Sequence, residues 1–348
     1  MFYTKEEIDF IKKKIEKWKV FFIQDNRKPF MHLFITLLGI ALSIYLLTKS
    51  VYFIPLLSLF ISRAFMIFHD CCHNSFFKVS EKEHNEGKRG YNKITAQLLE
   101  MFINYDEYTW TKIHGHHHSI HGNRNENDTT RTVITVDEYN SLSPIKKFLY
   151  RIIRTPIIFF LLTPIYVFFI NHLIIYYYKD NKKIDKLDYA KSKIFIILKI
   201  VLFYYIIYKY GGIKLLLSII LSLYLAAIIG IMFFHLQHQV NIGYWKKFDN
   251  NNQFEYDKAQ LHGSSLLKVP NIFKPFTFGI EYHHIHHITP RIPGYNLQKC
   301  HEENEKLFNK ITTVGYKQAV KSLSHTLYDE KKKRYISFDL DKKLGLQH

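Results

Sequence analysis

Cysteine is scarce in this chain: Cys71, Cys72 and Cys300 are the only three in 348 residues. Three thiols cannot build a disulfide framework, and adjacent Cys71 and Cys72 are poorly placed to bond to each other. A small secreted disulfide scaffold is therefore excluded, and the polar face is expected in a reducing compartment. Acidic residues are also short, 30 against 48 Lys and Arg, for a formal net charge of +18. The basic excess is spread through the polar segments and lacks the clustered basic and aromatic motifs of nucleic-acid binders, so no nucleic-acid partner is expected. Lysine occurs together with much Asn, Ile, Tyr and Phe, which points to an AT-rich coding bias, and a basic cytoplasmic face that attracts anionic lipid headgroups explains the remainder. Internal repeats and low-complexity linkers are missing, which leaves one integral domain. The first 30 residues carry Glu6, Glu7, Asp9 and Glu16 among their lysines, unlike a cleaved signal peptide or an acid-poor transit peptide.

Histidine is plentiful, 20 residues, and much of it falls in three short clusters. These are His69-Asp70-Cys71-Cys72-His73, His114-Gly115-His116-His117-His118 and His283-His284-Ile285-His286-His287. A neutral imidazole is a good ligand for iron, zinc, copper and nickel. The first cluster reads HxxxH, and positions i and i+4 share a helix face. The second and third contain HxxHH, which aims positions i, i+3 and i+4 together. Two, three and three aimed imidazoles are too many for one metal and about right for two. A metal-storage tract would be one contiguous low-complexity run, whereas these clusters stand about 40 and about 165 residues apart in ordinary sequence.

Hydrophobic residues make up 47% of the chain and aromatics 16%, yet the mean hydropathy is −0.12. The apolar residues must be segregated into blocks, as in a membrane protein with charged aqueous parts. Residues 1–30 read as a polar, lysine-rich segment with an amphipathic helix carrying Ile8, Ile11, Ile15 and Trp18 on one face. Runs over 31–48 and 51–68 are long enough to cross a bilayer and are joined by a tight turn at Thr48-Lys49-Ser50. Arg63 in the second run is expensive unless it snorkels or faces a polar interior. The second cluster ends a helix expected over 93–118. Three more apolar runs follow, 152–178, 194–210 and 213–234. If all three clusters share metals, the chain must cross the membrane an even number of times between residues 118 and 283. The first of these runs contains Pro156 and Pro164, which suit a bent interfacial or re-entrant segment. Residues 179–193 carry six lysines against three aspartates, which favours the cytoplasmic side for that segment. The remaining two runs form a hairpin turning at Gly211-Gly212. The expected fold is an all-α integral membrane protein with four transmembrane helices in two hairpins. Interfacial helices and a cytoplasmic histidine-rich cap holding the metals complete it. The expected divisions are an N-terminal segment 1–30, a membrane domain 31–302 and a polar C-terminal tail 303–348.

Nitrogen-only ligation at two metals favours redox iron over magnesium or calcium, which prefer oxygen, while zinc usually takes four ligands per ion. A site beside the membrane points to a lipid substrate, whose chain offers mainly unactivated C–H bonds. Breaking those takes an oxidant made from dioxygen at the metal. A membrane metal transporter or haem carrier is the contrasting class, but it expects histidines inside the spans. Here only His32 and His172 lie within the core of an apolar run, and they are isolated.

HDCCH, HGHHH and HHIHH, in this order and setting, resemble the three histidine boxes of the membrane fatty acid desaturase family. The stretches Phe234–Trp245 (FHLQHQVNIGYW), Leu261–Ser265 (LHGSS) and Glu281–Cys300 (EYHHIHHITPRIPGYNLQKC) resemble its delta-12, or omega-6, acyl-lipid branch. The likeness covers about residues 60–302. It implies a non-haem di-iron centre of two Fe ions that uses dioxygen to remove two hydrogens from a fatty acyl chain, leaving typically a cis double bond. The family pattern makes His69, His73, His114, His117, His118, His283, His286 and His287 the metal ligands from the boxes. An additional histidine between the second and third boxes is common in the family. The end of the fourth span offers His235 and His238, about 300° apart around the helix, and the match favours His238. His116 and His284 fall at variable positions and are expected beside the ligands or facing substrate, with His235 in a similar supporting place. Asp70 and Asn74 are expected to orient imidazoles by hydrogen bonding, or in the case of Asn74 to cap a helix. His283 stands where desaturases acting near the carboxyl end commonly carry Gln, and no fused cytochrome b5 motif is visible. The resemblance therefore implies a separate electron donor of cytochrome b5 or ferredoxin type. It also implies residence in the endoplasmic reticulum membrane if eukaryotic, or the plasma membrane if bacterial. Related enzymes hydroxylate acyl chains, form acetylenic bonds or act on carotenoids and sphingolipids with the same box logic.

Overall fold

The computed structural model describes residues 2–80, 82, 86, 88–126, 128, 133–170 and 185–338. Helix α1 (Lys5–Ile15) opens on a capping box: the Thr4 hydroxyl accepts from the Glu7 N–H and the Glu7 carboxylate accepts from the Thr4 N–H. Glu6 and Glu7 begin the helix and Lys12, Lys13 and Lys14 end it, each complementing the helix dipole. Ile8 and Ile11 are buried as expected, and a 3-10 turn over Glu16–Phe21 then buries Trp18. This face packs on Leu261, Tyr282, Ile285 and Leu297, against the segment that carries the third cluster.

Helices α2 (Arg27–Leu47) and α3 (Ile54–Cys72) pack together as the first hairpin. The 21 residues of α2 reach about 32 Å, enough for a hydrocarbon core. Phe34, Leu38 and Leu42 stand exposed on it, an apolar surface suited to lipid. Arg63 faces inward. Its Nε donates to Thr36 Oγ1 at 2.8 Å, its guanidinium lies 3.0 Å from His32 Nδ1 and also reaches the Pro275 carbonyl, and it sits over the Phe278 ring.

The single helix expected over 93–118 is two helices, α4 (Tyr91–Ile103) and α5 (Glu107–Ile120). Asn104 ends α4 in the left-handed conformation, φ 52°, and the Asp106 carboxylate caps α5 by accepting from the Thr109 N–H at 2.8 Å. Asn tolerates that conformation and Asp is a preferred cap, so the break is written locally. Helices α6 (Pro144–Arg154) and α7 (Pro156–Ile165) belong to a pair bent by 81°, and Pro164 lies inside α7 just before a π-helical turn over Tyr166–Ile170. Residues 171–178 of that apolar run, with His172, lie outside the described residues. So do 179–184 of the lysine-rich segment and 339–348 of the tail.

Helix α8 (Lys186–His238) is interrupted at Gly212, whose φ of 71° and ψ of 180° are open to glycine and closed to other residues. Its halves fold back on each other: Tyr204 and Ile219 line one small cavity together with Ile40 and Leu57. One end of α8 pairs with the cap of α5 through Lys193 and Asp106, and the other enters the histidine layer through His238. By length and composition, three helices could cross a membrane, or up to four with the bent pair as one span.

The remaining elements wrap this layer. Helices α9 (Gln253–His262), α10 (His283–Ile288) and α11 (Gly294–Glu303) carry or adjoin the third cluster. An all-helical chain was the expectation, but the described residues also contain five short strands. They are β1 (Ile134–Thr135), β2 (Ser265–Leu267), β3 (Thr312–Val314), β4 (Leu327–Asp329) and β5 (Arg334–Ile336). β2 pairs in parallel with β3, and β4 joins parallel β1 to antiparallel β5. Residues 303–338 thus return to the domain, with Tyr328 and Tyr335 buried against Trp245 and Val133.

Candidate metal centre

Four elements deliver the histidines. α3 carries His69 in its last turn with His73 as its cap residue, α5 turns His114, His117 and His118 to its buried side, α8 ends on His238, and α10 is built from the third cluster. Their rings form two groups. His69, His73, His114, His118 and His286 make one, and His117, His121, His238 and His287 the other, with ligand nitrogens inside each group all within 4.8 Å of one another. In the first, Nε2 of His114 lies 2.8 Å from Nε2 of His69 and 3.2 Å from Nε2 of His118, which in turn lies 3.0 Å from Nε2 of His286. Beside the second, His283 Nε2 lies 3.0 Å from His238 Nε2 and 3.1 Å from His287 Nε2. No carboxylate or thiolate belongs to either group among the described residues.

The outer nitrogens explain the tautomers. His117 Nδ1 is 2.9 Å from Asp128 Oδ2, His238 Nδ1 is 3.1 Å from the Gly263 carbonyl and His287 Nδ1 is 3.0 Å from Gln260 Oε1. Each partner is an oxygen acceptor, so Nδ1 carries the proton and the Nε2 lone pair points inward. His238 and His287 then both aim lone pairs at His283. His73 Nε2, His118 Nδ1, His283 Nδ1 and His286 Nδ1 are buried without a hydrogen-bond partner among the described residues. Crowded inward lone pairs and unsatisfied buried nitrogens are costly in a protein alone and are relieved by shared cations. Burial first, and the neighbouring imidazoles second, hold His73, His114, His118, His283, His286 and His287 well below the ordinary histidine value. The rings are thereby kept in the neutral form that binds metal. The residues fit two nitrogen-ligated transition-metal ions.

The supporting candidates separate. Asp70 lies 3.3 Å from His69 Nδ1 and accepts from the Gly294 N–H at 2.7 Å, so it sits behind a box ring. Asn74 adopts φ 57° after α3, and its Oδ1 accepts from Arg89 Nε at 2.7 Å, away from the imidazoles. His116 is half-buried outside both groups. His284 points to His301 at 3.2 Å and Phe308, and His235 to the Ser322 carbonyl at 2.7 Å. His121, Asp128, Gln260 and Gly263 were not among the sequence candidates. Only His121 carried a readable signal, being i+4 from His117 and i+3 from His118. The other three act through contacts between elements remote in the sequence.

A cavity of about 400 Å³ approaches this layer from the apolar side. It is lined by Phe65, Met66, Phe233, Leu236 and Ile280 among others, residues within one turn or so of His69, His238 and His283.

Comparison with known proteins agrees with this geometry. The family model described as fatty acid desaturase matches residues 21–316. The chain is 32% identical over 312 residues to a fatty acid desaturase of Bacillus subtilis, covering 89% of this chain and 83% of that one. It is 24% identical over 343 residues to the chloroplastic omega-6 fatty acid desaturase of Arabidopsis thaliana, covering 90% and 68%. It is also 24% identical over 256 residues to the sn-1 oleoyl-lipid 12-desaturase of Synechocystis, covering 69% and 64%.

Proposed function

The chain belongs to the fatty acid desaturase family and is an oxidoreductase, and from that premise we propose that it inserts a cis double bond at the delta-12, or omega-6, position of a monounsaturated acyl lipid. The observation that carries the reading is the pair of histidine groups set beside an apolar cavity. The ligands in this reading are His69, His73, His114, His117, His118, His238, His283, His286 and His287. The chemistry supplied when two irons are held there is reduction of dioxygen to water coupled to removal of two hydrogens from the chain.

The protein's own groups prepare that step. Asp128, Gln260 and the Gly263 carbonyl fix ring orientation, as Asp70 does for His69. Phe65, Met66, Phe233 and Leu236 offer an acyl chain a water-poor slot whose size is within the range of ligand sites. In the membrane, α2, α3 and the two halves of α8 would form four spans with both termini and the histidine layer on the cytoplasmic face. Residues 31–302 would be the catalytic domain, flanked by the segments 1–30 and 303–348. A separate cytochrome b5 or ferredoxin type donor supplies the electrons.

The Bacillus subtilis protein is named without a bond position, so the position rests on the more distant omega-6 and 12-desaturases. Expression in yeast, which makes mostly monounsaturated chains, followed by mass spectrometry of the fatty acids, tests it. A new diene at carbons 9 and 12 is the expected product. Hydroxylated chains would move the protein to an oxygenase branch, and a bond elsewhere would overturn the delta-12 assignment alone.

A further inference from the structure

We propose that His121 is a further ligand in the second group, so that each metal faces five imidazoles. This rests on the dinuclear reading above and extends it to a residue outside the three boxes. His121 is 1% exposed, and its ring centroid lies 4.3 Å from that of His287, 4.6 Å from His238 and 5.1 Å from His117. One of its nitrogens falls within 4.8 Å of the ligand atoms of those same three residues. His283, whose Nε2 is 3.0 Å from His238 Nε2 and 3.1 Å from His287 Nε2, stands beside the group of His117, His121, His238 and His287 and would be its fifth imidazole. The first already holds five.

Local structure places the ring there. His121 follows the last turn of α5, where the periodicity that aims His117 and His118 carries one turn further. The chain then leaves the helix, with His121 itself at φ −52° and ψ 132°. Room beside the ring depends on Gly263, where a Cβ would stand 2.3 Å from His121 Nε2 and 2.6 Å from the Ala259 carbonyl oxygen. The Gly263 carbonyl also fixes His238, and Gln260, one turn earlier, fixes His287. The end of α9 therefore supports three rings of the second group. A ring that served packing alone would not need a nitrogen among the ligand atoms of three other histidines.

The test compares the full-length wild type with His121→Ala, His121→Phe, Gly263→Ala and His116→Ala. The readouts are iron per chain by elemental analysis, Mössbauer spectra and the unfolding temperature of the metal-free forms. Wild type and His116→Ala should bind about two irons, whereas both His121 variants should retain about one and lose one of the two site signals. Gly263→Ala should alter that same signal. Metal-free His121→Phe, which keeps the packing volume, should unfold where the wild type does, which separates ligand loss from misfolding. Two irons with an unchanged spectrum in His121→Phe would overturn the proposal and leave the dinuclear reading standing. A wild type that binds no iron would overturn both.

Discussion

Lys193 Nζ lies 2.8 Å from Asp106 Oδ2, and each side chain is 1% exposed. Asp106 Oδ1 accepts from the Thr109 N–H and from Ser192 Oγ, both at 2.8 Å. One carboxylate thus caps the helix that carries His114, His117 and His118 and ties it to the first half of α8. Lys193→Met leaves that carboxylate buried without its counter-ion, at an expected cost of about 3–5 kcal/mol. Thermal unfolding of the detergent-solubilised protein should show the loss, and adding Asp106→Asn should recover part of it. An unchanged unfolding temperature in Lys193→Met would mean that water reaches the pair.

His238 and His235 lie on one turn of α8 but face different partners. His238 meets His283 at 3.0 Å, while His235 meets the Ser322 carbonyl at 2.7 Å. His238→Ala should lower bound iron and eliminate turnover. His235→Ala should keep most of the iron and lose about 1–3 kcal/mol of stability from its broken hydrogen bond. Iron content and turnover measured on the two variants decide between them, and the reverse pattern would reassign the ligand.

His262 couples acid to the N-terminal segment. The Tyr3 N–H donates to its Nε2 at 3.0 Å, which requires the neutral ring. Burial first, then the positive charge of Lys258, pushes its pKa down from 6.5 to about 3. Between those values the unfolded chain holds a proton that the folded chain refuses. Stability from this group is complete above pH 6.5 and declines as the pH falls toward 3, by about 1.4 kcal/mol per pH unit. His262→Gln, which keeps an acceptor but does not titrate, should flatten the acid side of the unfolding-temperature curve. Equal slopes for variant and wild type would assign the acid sensitivity to other groups.

Topology is open to cysteine labelling, because Cys71, Cys72 and Cys300 are all buried. Single cysteines at Lys49 and Tyr210 should react from the luminal or external side, and ones at Lys191, Lys247 and Asn250 from the cytoplasm. Tyr210 is preferable to Gly212, whose φ of 71° would strain a cysteine. Labelling of Lys191→Cys from outside would turn the bent α6–α7 pair into a span and remove the four-helix arrangement.

Much of this architecture was legible because it is periodic. HxxxH and HxxHH put ligands on one face of a helix wherever they occur, and long apolar runs announce their own helices. What depended on distant partners was not legible. Arg63 was marked as costly, but Thr36 and His32, which satisfy it, lie on the neighbouring helix. Asp128, Gln260 and Gly263 look ordinary until tertiary structure sets them behind rings 11 to 27 residues away. The helix expected over 93–118 is broken by Asn104, which ends α4, and Asp106, which caps α5, both residues that favour a helix boundary.

The clasp between the chain's two ends sets an order of assembly. Tyr3 bonds to His262 across 259 residues and to the Leu307 carbonyl across 304, and Glu7 holds Lys310 at 2.6 Å. The contact with His262 cannot form before residue 262 has been made, and those with Leu307 and Lys310 wait longer still. His286 and His287 are the last histidines in the sequence of the first and second group respectively. A nascent chain therefore displays two boxes as loose, incomplete chelators. The seam over the third cluster is sewn only after residue 310 has emerged, so the two groups gather their last histidines and their outer brace at the same stage of synthesis.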